Sequence, residues 1–290
     1  MRTYFLDMER EFSTLENSRY VLLPVAYDGT STFDKGADQG PQAIIDASDS
    51  LELYDHIYDS EAYKAGIYTD SFQYDFSTPE TMTEGVYQRV CHFLERGKIP
   101  GILGGEHSVS VGAIKAMSEQ YPNLSVLQID AHADLRDSYS GSPLNHACVM
   151  RRAQEYARVV QVGIRNVCME EKQNIVSENI FYAHQIYNHE KWIPKTVNRL
   201  TEHVYLTIDL DGFDPSIVPA TGTPLPGGLS WYSVMTLLEH LCKNRKIVGF
   251  DVVELCPQPN DKISDVLAAA LVYKIITLLH LNTCLSHSNL

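Results

Sequence analysis

Short apolar runs recur along the chain and predict a buried β-sheet. There are six of them, and several are nearly continuous rather than alternating, as is typical of strands that are covered on both faces. They are YVLLPV (20–25), IPGILG (99–104), LSVLQID (124–130), ARVVQVG (157–163), HVYLTID (203–209) and KIVGFDVV (246–253). A sheet built from such runs needs helices on both of its faces.

Amphipathic segments between these runs predict the helices. EGVYQRVCHFLERG (84–97) places Val86, Val90 and Phe93 at helical intervals and stops at Gly97. SWYSVMTLLEHLCKN (230–244) begins at Ser230, which we expect to be its N-cap. Alternating strands and helices predict right-handed crossovers, and therefore an α/β fold with a mostly parallel, doubly wound sheet.

Composition and charge narrow the class of protein. The 290 residues show no linker, repeat or low-complexity tract, so we expect a single domain over residues 1–290. Hydrophobic residues make up 44% and charged residues 21%, which is ordinary for a globular protein. A formal net charge of −14 argues against nucleic acid as a partner. The same charge is compatible with a small cationic ligand.

Three further features bear on location. The six cysteines are scattered without CxxC pairs, which favours reduced thiols in a cytoplasmic protein. The N-terminal stretch MRTYFLDMER lacks an apolar core, so we expect no secretory signal. The most hydrophobic segment, residues 266–281, is short for a membrane span and contains Lys274. We therefore expect a buried helix that starts near Asp265, and no membrane association.

Candidate chemistry collects where the predicted strands end. In open α/β sheets that edge is where ligands bind. Three strand ends there carry side chains of the kind that bind metals: His107 in GGEHS; Asp130, His132 and Asp134 in DAHAD; Asp209 and Asp211 in DLDGFDP. A single aspartate at a strand end is often only a helix cap, but three such motifs in order are more specific.

The acidic character of this group predicts bound cations. Four carboxylates crowded together would raise one another's pKa unless cations neutralise them. Two divalent ions would balance four carboxylates, and two neutral imidazoles would complete the ligand set. Oxygen-rich ligation with imidazole and no thiolate favours manganese over iron, cobalt or zinc. We therefore predict two Mn²⁺ per chain.

These motifs resemble those of the ureohydrolase family, which includes arginase and agmatinase. GGEHS, DAHADLR and DLDGFDPSIVPATGTPLPGGLS carry the resemblance, and VAYDGTSTFDKGADQGPQAI and GFDVVELCP extend it over nearly the whole chain. The resemblance implies the arginase-like fold, a three-layer α-β-α arrangement with a parallel sheet. It also implies two manganese ions, one bound by His107, Asp130, Asp134 and Asp209 and the other by Asp130, His132, Asp209 and Asp211.

The resemblance further implies roles for three side chains. Asp134 would orient the water that attacks the guanidinium carbon and carry its proton to the leaving amine. Glu254 would bind the guanidinium group by charge-assisted hydrogen bonds. His146 would shuttle protons or steady the substrate. Thr223, in the glycine- and proline-rich loop 219–230, is expected to contact the substrate or fix the loop, and Asp214 to support a turn.

The substrate is less closely defined. The segment after DAHAD resembles that of agmatinase, so the expected reaction is hydrolysis of agmatine to putrescine and urea. Arginase, guanidinobutyrase and aminopropyl-agmatine ureohydrolase activities remain alternatives within the class. Outside it, the alternatives are a one-zinc deacetylase of the same fold and a catalytically silent paralogue. The family also implies a homo-oligomer, a trimer or hexamer.

Overall fold

A wholly parallel sheet forms the middle of the protein. The computed structural model describes residues 3–287, with side chains described for residues 3–282. Within that range, eight strands pair in the order β2-β1-β3-β8-β7-β4-β5-β6, and every pairing is parallel. They are β1 (Tyr20–Val25), β2 (Ile67–Thr69), β3 (Ile99–Gly104), β4 (Ser125–Ile129), β5 (Arg158–Ile164), β6 (Ile180–Tyr182), β7 (His203–Asp209) and β8 (Lys246–Val253).

Helices cover both faces of this sheet. In chain order they are α1 (Gly40–Ala47), α2 (Pro79–Leu94), α3 (Ser110–Gln120), α4 (Val149–Ala153), α5 (Ala183–Ile186), α6 (Trp192–Arg199), α7 (Trp231–Asn244) and α8 (Ile263–His287). The predicted α/β class with a parallel sheet flanked by helices is confirmed.

The strands are buried on both faces because their side chains alternate between two cores. In β1, Val21 and Leu23 belong to the core that contains residues of α2, α3 and α4, whereas Tyr20 and Leu22 belong to the core that contains residues of α1, α6, α7 and α8. All four are fully buried. Each such side chain contributes roughly 1.5–3 kcal/mol of hydrophobic stabilisation. This burial explains why the strand sequences are nearly continuous apolar runs.

Helix α8 is the predicted buried helix. Residues Ile263–Asn282 are long and apolar enough to cross a membrane, yet 67% of the most apolar part of this stretch is buried inside the protein. Ala268, Leu271, Val272 and Ile275 are at most 1% exposed and belong to the core on the α1 and α7 side of the sheet. Asp265 lies in its first turn, as predicted. The segment is therefore a core helix of the α/β fold.

The sequence prediction missed the two edge strands of the sheet and placed the start of one helix too late. Strands β2 and β6, three residues each, were not predicted. Helix α2 begins at Pro79 rather than residue 84, because Thr78 caps it by accepting a hydrogen bond from the Thr81 backbone N–H. The chain then turns at Gly97, whose φ of 65° is in the left-handed region that favours glycine. The Ser230 N-cap of α7 is confirmed.

The thiols agree with the predicted reduced state. Five cysteines are free: Cys91, Cys148, Cys168, Cys242 and Cys256. The side chain of Cys284 lies outside the described residues.

Candidate metal centre

Predicted site residues meet at the carboxyl ends of four adjacent strands. His107 follows β3, Asp130 follows β4, Asp209 ends β7 and Glu254 follows β8. The strand register aligns them: Ile129 pairs with Ile208, so Asp130 and Asp209 are neighbours. Asp209 in turn pairs with Val253, next to Glu254. Parallel strands bring these residues to one edge although they are far apart in sequence.

A first cluster surrounds the His107 ring. Its Nδ1 lies 3.1 Å from Asp134 Oδ2, 3.2 Å from Asp130 Oδ2 and 3.5 Å from Asp209 Oδ2. These atoms are buried, and Nδ1 makes no well-aligned hydrogen bond to any of them. A separation of about 3 Å is what neighbouring ligands adopt around an octahedral ion with bonds of about 2.1 Å. The orphaned nitrogen and its carboxylates therefore fit a divalent cation.

A second cluster lies beside the first and shares Asp130 with it. His132 Nδ1 lies 2.9 Å from Asp211 Oδ2 and 3.6 Å from Asp130 Oδ1. Asp130 thus presents one carboxylate oxygen to each cluster, as a bridging ligand would. Asp209 turns Oδ2 towards His107, while its Oδ1 accepts the backbone N–H of Asp211 at 2.8 Å. Its predicted bridging role stays a prediction.

Without cations, four of the six side chains have a pKa raised above its ordinary value: His107, His132, Asp134 and Asp209. Burial raises the pKa of Asp134 to about 7, and the carboxylate of Asp130 adds to this effect. Burial and the carboxylate of Asp211 raise the pKa of Asp209 well above its ordinary value. Burial opposes charge on His132, but the carboxylates of Asp130 and Asp211 still raise its pKa to about 12. A cation binding here would therefore displace protons.

Buried polar side chains orient the candidate ligands by hydrogen bonds. His107 Nε2 lies 2.9 Å from the Thr207 hydroxyl, which leaves Nδ1 facing the carboxylates. The Gln128 amide donates to Asp130 Oδ2 at 2.6 Å, and Gln161 donates to Gln128 at 2.6 Å. Such partners fix the direction and protonation of metal ligands.

A buried acid extends this support below the cluster. Asp251, on β8, pairs with Thr207 in the strand register and accepts a hydrogen bond from the Tyr205 hydroxyl at 2.8 Å. It is fully buried, and burial raises its pKa. Asp251 therefore lies next to the threonine that contacts the His107 ring.

Two of the predicted catalytic residues have unusual backbone conformations. Asp134 has a φ of 51° and Glu254 a φ of 65°, in the left-handed region that non-glycine residues seldom occupy. Such conformations cost of order 1–3 kcal/mol and cluster at functional sites. The surrounding structure holds both carboxylates where they face the clusters.

Glu254 and His146 form a third group with Glu106. One carboxylate oxygen of Glu254 accepts the His107 backbone N–H at 2.8 Å and lies 4.0 Å from His146 Nδ1. All three side chains place a polar atom within 4.8 Å of one another. Burial raises the pKa of Glu254 well above its ordinary value, and Glu106 adds to the effect. Burial also lowers the pKa of His146 to about 4, which keeps its ring neutral.

The loop after β1 holds this third group together. The Thr30 hydroxyl donates to Glu106 Oε2 at 2.6 Å and accepts the backbone N–H of His146 at 2.9 Å. Thr32 Oγ1 lies 3.3 Å from His146 Nε2. Burial raises the pKa of Glu106 to about 7. His146 is therefore positioned through both its backbone and its ring.

The loop 219–230 contacts the second cluster. The Thr223 hydroxyl donates to Asp211 Oδ2 at 3.1 Å, so this residue supports a candidate ligand. Asp214 accepts backbone N–H groups of Ser216, Gly227 and Gly228 at 2.8–3.0 Å, which is the expected turn support.

The structure places all eight predicted site residues at this edge, but it also adds supporting side chains that the sequence did not identify. The added ones are Thr30, Glu106, Gln128, Gln161, Arg165, Thr207 and Asp251. Gln128 precedes Asp130 by two positions on β4, so its place on the same face could have been found from strand periodicity. Thr30 and Arg165 lie in segments that follow β1 and β5, so the sequence places them near this edge but gives no signal of their contacts.

Comparisons with known proteins agree with this architecture. The model of the "Arginase family" matches residues 18–277. An N(1)-aminopropylagmatine ureohydrolase of Synechocystis sp. is 36% identical, over 94% of this chain and 92% of its own. An agmatinase of Pyrococcus horikoshii is 35% identical, over 93% of this chain and 95% of its own. The crystal structure of the agmatine ureohydrolase of Thermoplasma volcanium has a TM-score of 0.84 and 32% identity, covering 93% of this chain and 92% of that one.

Proposed function

The chain belongs to the arginase family of ureohydrolases, and from that premise we propose that it hydrolyses agmatine to putrescine and urea with two Mn²⁺ ions. The observation that carries this proposal is the pair of buried clusters that share Asp130, next to the Glu254 carboxylate. His107, Asp130, Asp134 and Asp209 would hold one ion, and Asp130, His132, Asp209 and Asp211 the other. When bound, the two ions would supply Lewis-acid chemistry that makes a water molecule nucleophilic near neutral pH.

The protein's own residues would bind and orient the guanidinium group. Glu254 would accept hydrogen bonds from its planar N–H groups, because a carboxylate matches that geometry. A bound cation would also favour the charged form of Glu254, whose pKa is otherwise raised by burial. The His107 N–H fixes one oxygen of this carboxylate, which leaves the other for the substrate.

Proton transfer would fall to Asp134 and His146. Asp134 is buried beside His107 and would orient the attacking water, then deliver a proton to the leaving nitrogen. His146 has a neutral ring 4.0 Å from Glu254 and would steady the substrate or exchange protons with solvent. The hydrogen bonds from Thr30 and Thr32 would keep that ring in place.

The segment after Asp134 favours a substrate without a carboxylate. Its described arginines are already engaged with acids: Arg136 with Glu170, and Arg151 and Arg152 with Asp137. An α-carboxylate of arginine would therefore have to break an ion pair to gain a cationic partner. Agmatine, which is decarboxylated arginine, makes no such demand.

N(1)-aminopropylagmatine is the second candidate substrate. Its guanidinium end is the same as that of agmatine, and it also lacks a carboxylate. The 36% identical Synechocystis relative bears the name of that activity, and so does a 35% identical relative from Thermus thermophilus. We nevertheless place agmatine first, because the segment after DAHAD resembles that of agmatinases.

The deciding experiment is a urea-release assay with Mn²⁺ on four substrates: agmatine, N(1)-aminopropylagmatine, arginine and 4-guanidinobutyrate. We expect kcat/KM to be highest for agmatine. A higher value for aminopropylagmatine would move the assignment to that substrate. A preference for arginine, or no urea from any of the four, would refute the proposal.

We also expect a cytoplasmic homo-oligomer, a trimer or hexamer. Free cysteines suit a reducing compartment. Light scattering of the purified protein would measure the oligomeric state, and a monomer would contradict this expectation.

A further inference from the structure

We propose that Arg165 is a positioning residue that holds the second candidate cation position, formed by Asp130, His132 and Asp211. The inference rests on the proposed binuclear site and adds a residue that binds neither metal nor substrate. Arg165 follows strand β5 directly, at the same edge of the sheet as the clusters.

The side chain of Arg165 donates hydrogen bonds to the backbone around Asp211. Its Nη2 donates to the carbonyl oxygens of Asp211 at 2.6 Å and Phe213 at 3.2 Å. Its Nη1 lies 3.5 Å from the carbonyl oxygen of Gly212. Three consecutive carbonyls of the turn that carries Asp211 therefore face one guanidinium. A planar group with five N–H donors is suited to this fan of acceptors.

The same guanidinium reaches the loop 219–230. Its Nε and Nη2 donate to the Leu225 carbonyl at 3.2 and 2.8 Å. That loop carries Thr223, whose hydroxyl donates to Asp211 Oδ2. Arg165 thus fixes the Asp211 turn directly and also fixes the loop that orients the Asp211 carboxylate.

The backbone of Arg165 contacts the segment that carries the other two residues of the second cluster, Asp130 and His132. The N–H groups of Arg165 and Asn166 both donate to the Ala131 carbonyl, at 2.8 and 2.9 Å. Ala131 lies between Asp130 and His132, and its own N–H donates to Asp211 Oδ1 at 3.0 Å. Arg165 therefore connects the two chain segments that supply Asp130, His132 and Asp211, three of the four proposed ligands of the second position.

The first position is held mainly by other contacts, and among its ligands Asp209 is linked to the Asp211 turn, through the Asp211 N–H. His107 is oriented by Thr207, and the oxygen of Asp130 that faces His107 is held by Gln128. Asp134 faces the same His107 nitrogen. Loss of the Arg165 side chain should therefore weaken one cation position and leave the other.

Charge and geometry can be separated by substitution. Arg165→Lys keeps the positive charge near Asp211 but cannot supply the planar fan of donors. Arg165→Gln removes the charge and keeps two donors. If geometry is what matters, both variants should lose affinity at the second position.

The test is manganese binding to the full-length protein, measured by isothermal titration calorimetry and by the EPR spectrum of the bound ions. We expect the unaltered protein to bind two Mn²⁺ and give a spin-coupled spectrum. In both Arg165 variants, the second ion should bind about 10- to 100-fold more weakly, while the affinity of the first stays within about threefold. When one equivalent of Mn²⁺ beyond the first is added, the spectrum of both variants should still be that of an isolated ion.

A matched control is Arg158→Lys, at the opposite end of β5. Arg158 is exposed and its side chain donates only to the Arg199 carbonyl among the described contacts. Its substitution should leave both affinities unchanged. Circular dichroism of the metal-free variants would check folding, and Arg165→Gln serves if Arg165→Lys does not fold.

Three results would overturn the inference: unchanged binding of the second ion, equal weakening of both ions, or fewer than two ions in the unaltered protein. If the unaltered protein binds two ions but releases urea from no guanidine, the proposed function fails and the role of Arg165 stands. Raising Mn²⁺ should restore kcat of Arg165→Lys without changing KM. A higher KM at saturating Mn²⁺ would instead mark a substrate contact and contradict the inference.

Discussion

Replacing Glu254 by glutamine tests the proposed guanidinium contact most selectively. Glutamine keeps a side-chain oxygen that can accept the His107 backbone N–H, which Glu254 accepts at 2.8 Å. The substitution therefore preserves the support of a candidate metal ligand. It removes the negative charge and replaces the second carboxylate oxygen by an NH₂ group, which donates where the substrate also donates.

The expected loss follows from that exchange. A hydrogen bond between a carboxylate and a cationic donor contributes about 1.5–3 kcal/mol. At about 1.4 kcal/mol per factor of ten, this corresponds to a decrease in kcat/KM of about 10- to 150-fold. A full repulsive contact between the new NH₂ group and the guanidinium would add to the loss.

The assay is steady-state urea release from agmatine at saturating Mn²⁺, together with a manganese titration of the variant. We expect two bound ions, a folded protein and the lower kcat/KM. Glu239→Gln is the matched control, because Glu239 on α7 accepts the Tyr58 hydroxyl at 2.7 Å outside the candidate site. If Glu254→Gln binds two ions and its kcat/KM is within threefold of that of the unaltered enzyme, the proposed contact is refuted.

Three further predictions follow from the clusters and the core. Asp211→Asn should lose the second manganese and reduce kcat about 100-fold or more while keeping its circular dichroism spectrum, because bound metal supplies several kcal/mol of transition-state stabilisation; full activity would contradict the ligand role. Manganese binding should release protons, since His132 and Asp134 have pKa values raised to about 12 and 7, and affinity should fall as pH is lowered, most steeply below 7; calorimetry in two buffers with different ionisation enthalpies would measure the release, and its absence would count against this cluster. Leu206→Ala, at a fully buried position of β7, should lower the free energy of unfolding by about 2–5 kcal/mol in urea titrations, and a loss below 1 kcal/mol would contradict its place in the core.

The central strands could be predicted from sequence because burial on both faces leaves long apolar runs. Residues 203–209 and 246–253 were predicted with the bounds that β7 and β8 have. The edge strands β2 and β6 have only three residues each, too few to carry a periodic signal. The start of α2 was missed because its first turn, from Pro79, is polar and is fixed by the Thr78 cap.

The candidate ligands could be predicted because they lie at the ends of three strands or within five residues of them. Asp130 and Asp209 need only the strand register to become neighbours. Arg165 and Thr30 also lie in segments that follow strands, but their roles could not be predicted, since these depend on how loops fold over the sheet edge. Nothing in the sequence around Arg165 distinguishes an exposed side chain from one that donates to five backbone carbonyls, those of Gly163, Asp211, Gly212, Phe213 and Leu225.

The position of bound manganese is the most direct test of the account. A crystal of the protein soaked in Mn²⁺ should give two anomalous peaks per chain. One peak should lie among His107, Asp130 and Asp134, and the other among Asp130, His132 and Asp211, with Asp130 contacting both. A single peak, or none within reach of these side chains, would contradict the binuclear centre on which the proposed hydrolysis depends.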